Sequence, residues 1–249
     1  MEYFFDDFTE DNYRRLLKVA KENYAFISVE DYRQEHSQKV IINRHDLDSS
    51  VHRAAKISAI EKEEGVSSTY FVYLHSSFYN AYEKGIVRLL KDIVSNGHEI
   101  GIHYEPWFYG IDIGMDEEFE RHLKLERDML EALLEVQIGA FSFHNPDRGG
   151  WTAFSDDTVC GLINMYSGYF KEHYGYCSDS DGHWRYRRLF DVLSEAGDIR
   201  LQILTHPEWW TPSVMKPRDR ILRCAQGRLN SSMRQHDETM SEMGRVNDK

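Results

Sequence analysis

Lys39-Val40-Ile41-Ile42-Asn43 runs without a break into Arg44-His45-Asp46-Leu47-Asp48. The first five residues are a nearly continuous β-branched run without polar alternation, the pattern of a short strand covered on both faces, as parallel strands are. The next five are rich in side chains that bind metal or move protons. The same order recurs along the chain: a strand pattern over 68–74 runs into His75, one over 99–102 into His103, one over 140–143 into His144, and one over 199–204 into Thr205-His206. Weaker strand patterns lie over 162–165 and 174–177.

Helical patterns separate these runs. Thr9 caps a first helix, with Glu10 and Asp11 in its opening turn and Tyr13, Leu16, Leu17 and Ala20 on its apolar face. Ser49 and Ser50 cap a second that ends near Gly65. Ile86, Leu89, Leu90, Ile93 and Val94 fall at amphipathic helical spacing and are stopped by Asn96-Gly97, and 116–136 reads as a long helix. Strands alternating with helices predict a parallel sheet, either a closed barrel or an open doubly wound sheet. Neither G-x-G-x-x-G nor G-x-x-x-x-G-K-[ST] occurs to support the open form. The expected architecture is a single distorted, seven-stranded α/β barrel over 1–215. From Lys216 the chain turns polar, giving a surface helix and flexible tail over 216–249.

With 249 residues and 41% hydrophobic content the chain can bury one large core. Its 42 acidic and 30 basic side chains give a net charge of −12, which opposes attraction to nucleic acid or anionic lipid. Met1-Glu2-Tyr3-Phe4-Phe5-Asp6-Asp7 carries acid where a secretory signal carries Lys or Arg, and no apolar run approaches the roughly 20 residues of a membrane span. The expectation is a soluble, cytoplasmic protein. Cys160, Cys177 and Cys224 are odd in number and widely spaced, which suits a reducing compartment, excludes an all-cysteine zinc site and reads as small buried residues.

In a parallel barrel the strand ends converge on one face, where such barrels keep their chemistry. Taken singly, each histidine also reads as a hydrogen-bonded structural residue, and the aspartates as helix caps. Their joint occurrence points to a shared polar site. Two imidazoles, a carboxylate and an open position for water make a catalytic divalent site, with zinc its commonest occupant. Such an ion lowers the pKa of water towards about 7 and polarises a carbonyl, so amide or ester hydrolysis is its natural chemistry. The other aspartate of Asp46-x-Asp48 is then left to accept a proton. No G-x-S-x-G supports a serine nucleophile. Tyr104, Trp107, Trp184, Trp209 and Trp210 lie near these segments; they fit a sugar-stacking rim and equally an aromatic seal of the barrel mouth.

With these residues assembled, the chain from about Phe8 to Trp210 resembles the polysaccharide deacetylase family (chitooligosaccharide deacetylase homology), in particular its short cytoplasmic members linked to surface-polysaccharide biosynthesis. Arg44-His45-Asp46-Leu47-Asp48 is similar to the first family motif, which implies Asp46 as general base and Asp48 as metal ligand. Gly97-His98-Glu99-Ile100-Gly101-Ile102-His103 is similar to the second, implying His103 as ligand. Ser142-Phe143-His144-Asn145-Pro146 sits at the third, Ser178-Asp179-Ser180 with Trp184 at the fourth, and Leu204-Thr205-His206-Pro207 at the last, implying His206 as general acid. One position departs: where the family carries its second metal histidine, this chain has Trp107. His144 is the expected substitute, with His75 and His206 as second choices.

The resemblance implies removal of an N-acetyl or similar acyl group from an amino sugar, nucleotide- or lipid-linked if the protein is cytoplasmic, with one divalent metal, zinc. Arg44, His75, Tyr104, Glu105, Trp107, Asp179, Trp184 and Trp209 are the expected substrate contacts, Arg44 or Asp179 also orienting Asp46 or His206. Three other readings stay open: a deformylase or cyclic-amide hydrolase on the same barrel, a non-catalytic glycan-binding relative, and a barrel isomerase on a sugar phosphate. The last needs a phosphate site, and no Gly-rich loop between Tyr174 and His206 supplies one.

Overall fold

A computed structural model describes residues 4–247; the first three residues of the acidic opening and the last two of the expected tail lie outside the described residues. The elements are, in order, α1 (Glu10–Asn23), β1 (Tyr24–Phe26), β2 (Lys39–Leu47), α2 (Val51–Glu64), β3 (Thr69–Val72), α3 (Lys84–Ser95), β4 (Glu99–Tyr104), α4 (Asp116–Leu134), β5 (Ala140–Phe143), β6 (Thr158–Val159), β7 (Leu162–Asn164), α5 (Gly168–His173), β8 (Gly175–Ser180), β9 (His183–Trp184), α6 (Leu189–Glu195), β10 (Arg200–Thr205) and α7 (Pro217–Glu242). Thr9 and Ser50 accept the hydrogen bonds of Asn12 N and Arg53 N as N-caps, and Gly65 closes α2 in the left-handed region.

Seven strands run parallel in the order β7-β5-β4-β3-β2-β10-β8, with the two-residue β6 and β9 antiparallel at the ends and β1 parallel to β2. This is the expected seven-stranded α/β architecture, but the sheet does not close: among the described residues no ladder joins β7 to β8. The segment after β7 is instead held across the concave side, Arg44 Nη2 of β2 reaching Tyr166 Oη at 2.9 Å and Gln202 Nε2 of β10 the Met165 carbonyl at 3.3 Å.

β2 is longer than its apolar run predicts. It continues through Leu47, paired with β10 from Val40 to His45 and with β3 from Arg44 onward, and every residue from Val40 to Leu47 is buried. Strand alternation therefore sorts the polar segment by face. Arg44 and Asp46 point with Ile42 into the concave side, whereas Asn43 and His45 point outward against Glu61 of α2. The concave side holds a small core of Ile42, Phe71, Ala140, Met165 and Phe170, and two larger cores lie between sheet and helices.

Gly101 on β4 faces that concave core, where an added Cβ would stand 2.5 Å from the Phe71 ring and 3.1 Å from the Ala140 carbonyl. Gly101→Ala is expected to destabilise the fold by about 1–3 kcal/mol through overpacking, read as a lower midpoint in urea with an unchanged slope.

α7 is a 26-residue helix of which only Arg220 is buried. No helix among the described residues is long and apolar enough to cross a membrane. The three cysteines are free, Cys177 buried and Cys160 and Cys224 half-buried.

Candidate metal and catalytic site

The ends of β2, β4, β5, β8 and β10 open on one cavity of about 510 Å³, walled by Asp46, Asp48, His103, His144, Asp179 and His206 and by Trp209. At its floor three ligand atoms form a triangle. Asp48 Oδ1 lies 3.1 Å from His103 Nε2 and 3.3 Å from His144 Nδ1, and the two imidazole nitrogens are 3.2 Å apart. Donors roughly 2.0–2.2 Å from a tetrahedral ion stand roughly 3.3–3.6 Å from one another, so the triangle is close to the size that a zinc-like ion needs. Asp48 Oδ1 is buried without a well-directed hydrogen bond, as an atom intended for an ion is. This trio is the one group of three or more histidine, cysteine or carboxylate side chains suited to an ion among the described residues.

Trp107 sits elsewhere, its ring under the Arg148 guanidinium at 5.0 Å and against Gly149, and it is not part of the cavity wall. His144, the expected substitute, follows β5, the strand next to β4, and stacks on Tyr73 at 4.4 Å. Burial works against charge on Asp48, but the approach of His103, His144 and His206 holds its carboxyl well below the usual carboxylate range.

Asp46 flanks the triangle. Its Oδ2 accepts a hydrogen bond from Ser142 Oγ at 3.0 Å and lies 3.5 Å from Arg44 Nη2 and 3.7 Å from His103 Nδ1, while Oδ1 is buried without a partner among the described residues. Arg44 is fully buried behind it. On the other side His206 Nε2 lies 3.8 Å from Asp48 Oδ2. Asp179 grips the opposite face of that ring, Oδ1 at 2.5 Å from Nδ1, and also accepts from the His206 backbone N–H at 3.0 Å. Burial disfavours a charged His206, but the Asp179 carboxylate overrides it and lifts the imidazole well above its ordinary value. Glu208, two residues on and buried, is pushed up to about 8 by burial and by the Asp48 charge.

Of the expected substrate contacts, Asp179 and Trp209 reach the cavity wall. Arg44 stands behind Asp46. His75 turns away to pair with buried Glu126 at 2.9 Å under Phe108, and Tyr104 is fully buried in the outer core near Phe119. Glu105 accepts from Tyr73 Oη at 2.6 Å, and Trp184 donates to Asp7 Oδ2 at 2.9 Å while stacking on Phe8. None of these last four, nor Trp107, lines the cavity. In their place the wall is built by Tyr166, Tyr176, Arg185 and Tyr186. Tyr176 could have been picked out as the residue two before Ser178 on a strand, hence on the same face; Tyr166 and Tyr186 stand in loops, where no periodicity marks them.

No family model matches the chain, and no curated protein matches it. Solved structures do. The deacetylase PplD of Streptococcus pyogenes aligns with 15% identity over 86% of this chain and 86% of its own, at a TM-score of 0.43. IcaB from Ammonifex degensii aligns with 17% identity over 53% of this chain, at 0.41, and a CE4 family pseudoenzyme from Bacillus anthracis with 15% over 82%, at 0.45. The aligned part spans 65% of each of these last two proteins. Of these similar structures, PplD is a deacetylase and the Bacillus anthracis protein a CE4 family pseudoenzyme. At such identities and scores only the side chains of the site itself can support a function.

Proposed function

We propose that the chain is a metal-dependent hydrolase that removes an N-acetyl group from an amino sugar. The observation that supports it is the juxtaposition of the Asp48–His103–His144 triangle with a carboxylate on one side, Asp46, and a carboxylate-braced imidazole on the other, His206. Deacetylation needs those three things together: a cation site, a base and an acid.

Asp48, His103 and His144 would hold the ion, and zinc suits one carboxylate and two imidazoles. When bound, the ion supplies a Lewis acid for the acetyl carbonyl and lowers the pKa of water. The chain's own groups do the proton work. Asp46 offers Oδ1 as the free acceptor for the proton of the attacking water, because Ser142 and Arg44 occupy Oδ2. His206 has Nδ1 committed to Asp179, so its Nε2 proton faces the cavity and is available to the leaving amine nitrogen. Trp209 is largely buried in the wall, and the exposed Tyr186 offers the aromatic surface to a sugar ring. A nucleotide- or lipid-linked amino sugar, handled in the cytoplasm during surface-polysaccharide synthesis, is our finer reading; it rests on the sequence resemblance.

The test is acetate release from N-acetylglucosamine oligomers alongside metal analysis. Stoichiometric zinc, loss of acetate release with chelator and recovery on adding zinc back support the proposal. Turnover indifferent to chelation would sink it, and a metal-free, inert chain that still bound the oligomers would instead be a non-catalytic glycan binder.

The His206–Asp179 pair gives a signed pH prediction. Asp179 raises the His206 pKa, so the protonated acid persists to higher pH than a free histidine would. Asp179→Asn removes that support, and the alkaline limb of kcat/KM should move to lower pH while metal content stays unchanged. An unmoved limb would mean that His206 is not the acid.

A further inference from the structure

A second cavity, of about 370 Å³, lies on the far side of the Asp48 and His206 loops, between α7, the N-terminus of α2 and the segment before α3. It shares no wall residue with the catalytic cavity. Its walls are unlike the rest of this acidic chain: Arg53, Arg220, Arg223, Arg228 and Arg234 all face it. Two of them are matched by carboxylates, Arg228 by Glu83 and Arg53 by Glu10 at 2.7 Å. Arg223 and Arg234 sit on the exposed face of α7 and form no ion pair that offsets them among the described residues.

Arg220 is the informative one. It is fully buried, and its Nη2 donates to the Phe5 carbonyl at 2.6 Å, but Nε and Nη1 have no hydrogen-bond partner among the described residues. Burial lowers its pKa from the ordinary arginine value to about 10 although the Asp179 charge reaches it, and a buried guanidinium with two idle donors and no direct ion pair is costly, a cost that a bound anion would offset. The α2 N-terminus adds to the same field: Ser50 and Val51 line the cavity, α2 is 14 residues long, and its first turn has no acidic residue to neutralise the helix dipole. The other titratable groups facing the cavity do not cancel this charge. Glu83 is spent on Arg228, burial and the Asp48 charge push Glu208 up from the ordinary carboxylate range, and burial lowers His52.

We infer that this cavity is an anion site that takes a phosphate ester, best a diphosphate, separate from the deacetylation site. The planar guanidinium fork matches phosphate oxygens in pairs. The volume exceeds that of one phosphate, and Phe78, Val51 and Ile86 supply an apolar wall for an organic part. The inference stands whether or not the deacetylase reading does, because it concerns different residues.

The test is calorimetric titration of the full-length, metal-loaded protein with inorganic phosphate and with pyrophosphate. One equivalent of pyrophosphate should bind, more tightly than phosphate, and should raise Tm. Arg220→Gln should weaken it at least tenfold. Because a buried variant can misfold, the exposed Arg223→Gln/Arg234→Gln double variant is the companion, with the same expected loss and an unchanged unliganded Tm. No pyrophosphate binding by the parent, or full binding retained by the double variant, as chelation of the catalytic ion would give, overturns the inference. If uridine diphosphate binds tighter than pyrophosphate the organic part is seated on the apolar wall; equal affinity would overturn that part of it.

Discussion

An Asp48→Asn variant is expected to lose its stoichiometric divalent ion and, with it, on the order of a thousandfold in acetate release, about 4 kcal/mol of transition-state stabilisation. Asp48 Oδ1 is the shared corner of the triangle, 3.1 Å and 3.3 Å from the two imidazole nitrogens. An amide at that corner removes the one anionic donor and leaves two neutral imidazoles, a much weaker site. His144→Ala should behave alike, and that variant is the sharper experiment because it tests the proposal that His144 serves as the third ligand in place of a histidine at the Trp107 position. Metal analysis of both proteins, at equal fold integrity by circular dichroism, is the measurement. Full zinc occupancy in His144→Ala would remove His144 from the ligand set.

The second large effect is on stability, and it lies outside the catalytic cavity. Glu61 on α2 is fully buried and accepts from Tyr13 Oη at 2.5 Å, Asn43 Nδ2 at 2.7 Å, Ser68 Oγ at 2.7 Å and His45 Nε2 at 2.8 Å, and also from Tyr70 Oη. Glu61→Ala removes the acceptor that all of those donors share and leaves them only the contacts they make with one another, such as Asn43 Nδ2 to Ser68 Oγ at 2.7 Å, at a cost of about 3–5 kcal/mol. For a chain of this size that is a fall in Tm on the order of 10 °C. A change under about 2 °C would show the network to be energetically slack. The same group carries a pH signature. Burial opposes its ionisation, but His45, His98 and the hydrogen bonds overcome it and draw the carboxyl down to about 2. Its contribution is therefore complete above the ordinary carboxylate value and is lost as pH falls through about 2. Glu61→Gln should flatten that acid limb.

The Glu61 network also shows why a polar segment at a strand end does not deliver all its side chains to one site. Arg44-His45-Asp46-Leu47-Asp48 was legible as a polar segment at a strand end, but its five side chains do not share one fate. β2 runs on to Leu47, and a two-residue period throws His45 outward into the Glu61 cluster while Arg44 and Asp46 face the cavity. His75 and Tyr104 failed to reach the cavity for related reasons. His75 follows a strand that ends at Val72 and turns back to Glu126, and Tyr104 is one residue out of phase with His103 on β4.

Element order was legible almost throughout, because apolar periodicity and capping residues act locally: Thr9, Ser50, Gly65 and the Ile86–Leu90–Ile93 stripe each needed only neighbours a few positions away. The parallel sheet followed from the alternation of strands and helices. By itself, then, the sequence determined the α/β class and the set of ligand-type side chains that strand ends would carry. Only the tertiary structure decided which of them meet. The Asp48–His103–His144 triangle draws on three strand ends, the Asp46–Ser142 contact spans β2 and β5, and Asp179 meets His206 from β8 to β10. The open seam between β7 and β8 and the arginine-lined cavity under α7 have the same origin. Distances between groups far apart in the chain are set by how sheets and helices pack, and no local pattern encodes them.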